Sequence, residues 1–73
     1  MQEYMINCEW DSEANVWIAS SNDVPGLVLE SGSIDALIER VKFAVPELLE
    51  LNKEEHKSLL LFFKSERREQ VFG

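Results

Sequence analysis

Only one cysteine, Cys8, occurs in the 73 residues, so no disulfide can form within the chain. Histidine is equally scarce. Cys8 and His56 together fall short of the three or four side chains that a zinc ion needs, which excludes a zinc-stapled fold. Long apolar runs are missing too. The opening MQEYMINCEW carries neither a basic stretch nor an extended apolar segment, so neither a secretory signal nor a membrane helix is expected. The cytosol is then the expected compartment, and a free thiol suits it. There is no internal repeat, low-complexity tract or linker, and the whole of 1–73 reads as one domain.

Positive charge is the other shortage. Seven Lys and Arg stand against fourteen Asp and Glu, a net charge of -7. Residues 1–52 hold ten of the acids with only Arg40 and Lys42, a balance of -8, while 53–73 come to +1. Such a surface repels a phosphate backbone and attracts basic partners, so direct nucleic-acid binding is not expected. A domain of this length hides only about 60% of the surface its unfolded chain exposes. Without a disulfide or a metal, the expected support is a second subunit, making the chain a homodimer.

What remains is a clear pattern of apolar residues. Residues 3–10 alternate, with Tyr4, Ile6, Cys8 and Trp10 on one side and Glu3, Met5, Asn7 and Glu9 on the other, as in a half-buried strand. The turn-forming stretch Asp11-Ser12-Glu13-Ala14-Asn15 leads into the β-rich run Val16-Trp17-Ile18-Ala19-Ser20, a spacing that predicts a hairpin. A corner follows at Asp23-Val24-Pro25-Gly26-Leu27. Proline sets its own φ and glycine tolerates the positive φ of the next position in a type II turn, so the pair reverses the chain toward a third strand over Leu27-Val28-Leu29-Glu30. Three strands with short links predict an antiparallel meander.

From Ser33 the period lengthens. Ile34, Leu37, Ile38, Val41, Val45, Leu48 and Leu49 recur at helical spacing, with Ser33 as N-cap and Asp35 in the first turn. Pro46 interrupts that pattern and predicts a kink near Ala44-Val45 or a break with a second helical piece beginning there. Asn52 to Lys57 reads as a polar loop. The most apolar run, Leu59-Leu60-Leu61-Phe62-Phe63, suits a strand buried on both faces or lying at an interface. A helix across 56–71 is the rival reading, since Leu, Lys, Glu and Arg favour helices. The strand completes an α+β order of βββαβ, with one helix packed on one face of the sheet.

Side chains with chemical potential find ordinary roles. Cys8 lies on the apolar side of its strand, where a thiol is a small core residue. Glu9, Asp11 and Glu13 could meet at one end of the sheet and hold a metal, but Asp at a hairpin entrance caps the turn and Glu on an exposed strand face is solvated. Lys64, Arg67 and Arg68 are interleaved with Glu66 and Glu69, unlike a nucleic-acid stripe. No catalytic residue, cofactor or metal ligand is expected. Trp10 and Trp17, on either side of the hairpin, are expected to pack across it or, if exposed, to anchor an interface together with Leu59, Leu61 and Phe63.

The turn Asp-x-x-x-Asn before a Val-Trp strand, then Asn22-Asp23-Val24-Pro25-Gly26-Leu27, then Gly32-Ser33 opening a helix with Ala36-Leu37-Ile38, resembles the small HicB-type domain. Its short stand-alone relatives of unassigned function are closest in shape, sharing the Pro46-Glu47-Leu48-Leu49-Glu50 helix end and the Glu66-Arg67-Arg68-Glu69 strand end. The resemblance implies a βββαβ fold related to double-stranded-RNA-binding and degraded RNase H-like folds, commonly dimeric. It also implies an antitoxin-like role, binding and neutralising a small basic RNA-cleaving toxin of the HicA type. Longer HicB antitoxins also carry a ribbon-helix-helix or helix-turn-helix domain; residues 1–73 show no segment expected to form one, so operator binding is not carried over.

Overall fold

The computed structural model describes residues 2–50 and 58–73. Strands β1 (Gln2–Asp11), β2 (Val16–Ser20) and β3 (Val28–Ser31) precede helix α1 (Ile34–Leu48), and β4 (Leu59–Glu66) follows it. The order is βββαβ and the class α+β. The expected polar loop at Asn52 to Lys57 and His56 lie outside the described residues.

β1 and β2 form the antiparallel hairpin, with Trp10 opposite Trp17 and Cys8 opposite Ala19. Asp11 initiates the turn. Its Oδ1 accepts from the backbone N–H groups of Glu13 (3.0 Å) and Ala14 (3.3 Å), and Asn15 closes it at φ 56°, the left-handed conformation that asparagine tolerates best after glycine. β2 and β3 are antiparallel as well. β4 lies parallel to β1 on its far side, giving a mixed sheet of order β3-β2-β1-β4. A parallel neighbour requires the chain to cross back over the sheet, and the helix makes that crossing.

The side chains of β1 separate by parity. Ile6 and Cys8 point under the helix and are buried; Glu3, Met5 and Glu9 point the other way and are exposed. Ile6, Cys8 and Ala19 meet Leu37, Val41 and Val45 of α1, with Val24 and Leu27 closing one end, and all eight are at most 2% exposed. Burying an Ile, Leu or Val contributes roughly 1.5–3 kcal/mol, so this small set carries the fold. No charged or polar side chain is buried among the described residues.

Ser33 caps the helix, its hydroxyl accepting from the Ala36 N–H at 3.2 Å. The expected break at Pro46 does not occur: one helix runs through it to Leu48. Pro46 lies in the last turn, where only the Lys42 carbonyl loses its partner, and Lys42 is exposed, so water can replace the bond. The rival helix over 56–71 is also absent, because β4 pairs with β1 from Gln2 opposite Leu59 to Glu9 opposite Glu66. β4 is not buried on both faces. It is the edge of the sheet, with Leu60 and Phe62 about half exposed on one side and Leu59, Leu61 and Phe63 partly covered on the other.

Candidate interaction surfaces

The Pro-Gly corner joins β2 to β3. The Leu27 N–H donates to the Val24 carbonyl at 3.2 Å across Pro25 and Gly26, and Gly26 has φ +87°, the geometry of a type II turn. Val24 and Leu27 drive both ends of the turn into the core, while Pro25 and Gly26 stay at the surface. Asp23 ties the corner to β1. Beyond the end of β2, Met5 has no strand partner on that side; the Asp23 carboxylate accepts its N–H at 2.8 Å and the Ser21 hydroxyl donates to its carbonyl. The two side chains replace two missing ladder bonds. Asp23, Pro25 and Gly26 therefore form a structural joint.

The helix covers one face of the sheet and leaves the other bare. On the bare face the register aligns Glu66, Glu9, Ile18 and Glu30 in a single row across all four strands. The next row on this face is Lys64, Asn7, Ser20 and Val28, and beyond it Phe62 beside Met5 and Leu60 beside Glu3 form two more on β4 and β1. Met5, Leu60 and Phe62 are 44–48% exposed. Five carboxylates (Glu3, Glu9, Asp11, Glu30, Glu66) and one cation (Lys64) thus share this face with an apolar strip. Like charges on adjacent strands repel, so such a row adds nothing to folding. The alternation in the sequence marks which residues could face this way, but only the register between strands brings the row together.

At the hairpin end, the Trp10 and Trp17 rings meet edge to face, with centroids 5.5 Å apart and planes at 61°. The Arg67 guanidinium lies 4.0 Å from the centre of Trp10 and 5.9 Å from that of Trp17, and its Nε is 2.6 Å from Glu69. Both tryptophans are half buried. A shallow depression of about 280 Å³ opens here between Glu9, Trp10, Ser12, Glu66, Arg67 and Arg68. Arg67 is spent on the rings, so the three bases do not form one patch.

On the helix side, α1 packs over β2 and β3 and stops short of β4. A groove of about 370 Å³ remains between Lys42 and Pro46 on the helix and Leu59, Leu61 and Phe63 on the strand. These three residues come together there, while Trp10 and Trp17 lie at the hairpin end.

No reactive constellation assembles among the described residues. Cys8 is 1% exposed, and burial pushes its thiol above the ordinary 9.0, away from an activated thiolate. Asp11 is held by its own turn, and among the described residues no three His, Cys, Asp or Glu side chains converge on a point that could hold a metal. No described helix is long and apolar enough to cross a membrane.

A family model described as a domain of unknown function, DUF1902, matches residues 3–72. No curated protein matches the chain. Among solved structures, the crystal structure of a hypothetical protein from the extremely thermophilic bacterium Thermus thermophilus is similar, with 37% identity and a TM-score of 0.76 over 96% of this chain and 99% of that one.

Proposed function

The chain belongs to the DUF1902 family of domains of unknown function, and from its own surfaces we propose that it is a non-enzymatic binding module for a basic protein. The observation that carries this reading is the bare face of the sheet. On this solvent-facing side Met5, Leu60 and Phe62 form an apolar strip on the same face as the Glu66–Glu9–Ile18–Glu30 row, with the row through Lys64 and Asn7 between them. A basic partner with a central apolar anchor would relieve the repulsion along the row and cover the strip at once. The resemblance to HicB-type domains gives the partner a class, a small basic RNA-cleaving toxin whose active site the acidic face would cover. In this reading the protein works in the cytosol, where Cys8 stays reduced.

The test is recovery of a basic protein from native cells at low salt, followed by titration calorimetry of the purified pair. Glu9→Lys together with Glu30→Lys should weaken binding by two orders of magnitude or more, and raising the salt should weaken wild-type binding steeply. Retention of no basic protein at low salt, or affinity indifferent to both substitutions, would overturn the reading.

A further inference from the structure

The two edges of the sheet are built differently. β3 is four residues long, and the Arg40 guanidinium from the helix engages its Glu30 carbonyl at 2.7 Å. β4 is eight residues long, is rich in Leu and Phe, and has no strand on its outer side among the described residues. An edge of that length and character is a template for another strand.

The segment that would supply that strand is in the same chain. Past Arg67, which packs on Trp10, residues 68–73 are all exposed. The molecule measures 53 × 19 × 19 Å, and its radius of gyration is 13.9 Å against about 11 Å for a compact domain of this size. Fifteen extended residues would span about 50 Å, so β4 continued by an extended 67–73 is long enough to match the long dimension. The arm carries Val71 and Phe72, 80% and 93% exposed. Apolar side chains presented on a projecting arm gain nothing in the monomer.

We propose that two copies exchange these arms, each laying residues 68–73 antiparallel along the outer edge of the other's β4, about a two-fold axis at Arg67. The register follows from complementarity. With the axis at Arg67, Glu66 faces Arg68 of the second copy, Phe63 faces Val71, and Phe62 faces Phe72. Val71 then enters the helix-side groove beside Phe63, and Phe72 covers Phe62 on the bare face. The two Arg67 residues are opposed at the axis, each guanidinium leaning inward onto its own Trp10, with Glu69 of the other copy diagonal to it. Arg67 opposed to itself is the one like-charged pair in this register, and each guanidinium is drawn off onto its own Trp10; moving the axis to Glu66 would oppose Glu66 to itself and Lys64 to Arg68 with no such relief, and moving it to Lys64 would oppose Lys64 to itself and leave Phe72 uncovered. The contact is isologous and closes at two copies. It uses the outer edge of β4 and, through Arg68 and Phe72 of the second copy, also engages Glu66 and Phe62; self-association of the purified chain is measured with no basic partner present, so its failure and the failure of the binding reading are separate results.

Sedimentation equilibrium at tens of micromolar should give twice the 8.4 kDa chain mass. Val71→Lys and Phe72→Lys should each weaken self-association at least tenfold, while Phe43→Lys on the outer surface of the helix leaves it unchanged. Arg67→Cys should yield a covalent dimer on mild oxidation, because residues opposed across an antiparallel pair have Cα atoms about 4.5–5.5 Å apart, within disulfide reach. Gln70→Cys, opposed to Lys64, should not. Circular dichroism of each variant separates lost pairing from lost folding. A monomer at these concentrations, or a dimer indifferent to both lysine substitutions, would overturn the proposal; cross-linking at position 70 in place of 67 would overturn the register.

Discussion

Replacing Gly26 isolates the cost of one backbone angle. Its φ of +87° is a conformation L side chains rarely adopt, while a Cβ built there would meet nothing nearer than Leu48 Cδ2 at 3.6 Å, an ordinary contact. Strain and not collision therefore sets the penalty. An alanine held at positive φ costs about 1–2 kcal/mol. A β-branched valine, stiffer at χ1, belongs nearer the upper end of the ~1–3 kcal/mol range for strained backbone positions. Asparagine, which tolerates positive φ, should cost least. Domains of this size have on the order of 4–10 kcal/mol to lose. At roughly 4–8 °C per kcal/mol, Gly26→Ala should lower the melting temperature by about 5–15 °C, Gly26→Val by more and Gly26→Asn by only a few degrees. Thermal unfolding followed by circular dichroism, at one fixed protein concentration so that self-association does not shift the midpoints, reads the series. Equal melting temperatures for wild type and Gly26→Val, or an alanine variant less stable than the valine one, would refute the argument that the turn needs glycine for its φ.

Two further outcomes follow from other contacts. Asp23→Ala removes the acceptor for the Met5 N–H, so it should cost about 1 kcal/mol and speed hydrogen exchange at that amide; unchanged protection at Met5 would contradict the role of Asp23 as a substitute strand partner. Cys8 makes a pH prediction. Burial raises its folded-state pKa above 9.0, so the native state holds the proton more tightly; stability is full below pH 9 and falls as pH climbs from there toward the raised value. Urea midpoints of wild type and Cys8→Ala should keep a constant offset below pH 9 and converge above it, and parallel curves throughout would exclude the linkage.

The βββαβ order and the antiparallel meander were legible in the sequence because each rests on local rules. Alternation along Tyr4, Ile6, Cys8 and Trp10 and the 3.6-residue period after Ser33 announce their elements without help from distant residues. Of the two alternatives at Pro46, the break does not occur, for a reason of position. A proline costs a helix one hydrogen bond and a clash one turn back, and within the final turn the chain can meet that cost with an exposed carbonyl. Asp23 read as part of a turn motif, but its partner, Met5, is 18 residues away, beyond any local rule.

Sequence periodicity determined which residues share a face, since side-chain direction along a strand or helix follows from backbone geometry alone. Tertiary structure decided which strands are neighbours. Nothing local distinguishes a β4 that pairs with β3 from one that crosses to β1, because the difference lies in how the helix packs over the sheet. That choice created the rest: the carboxylate row from Glu66 through Glu9 to Glu30, the stacking of Arg67 on Trp10, and an open β4 edge. Each depends on residues far apart in the chain held at one register, and only the packed core fixes that register.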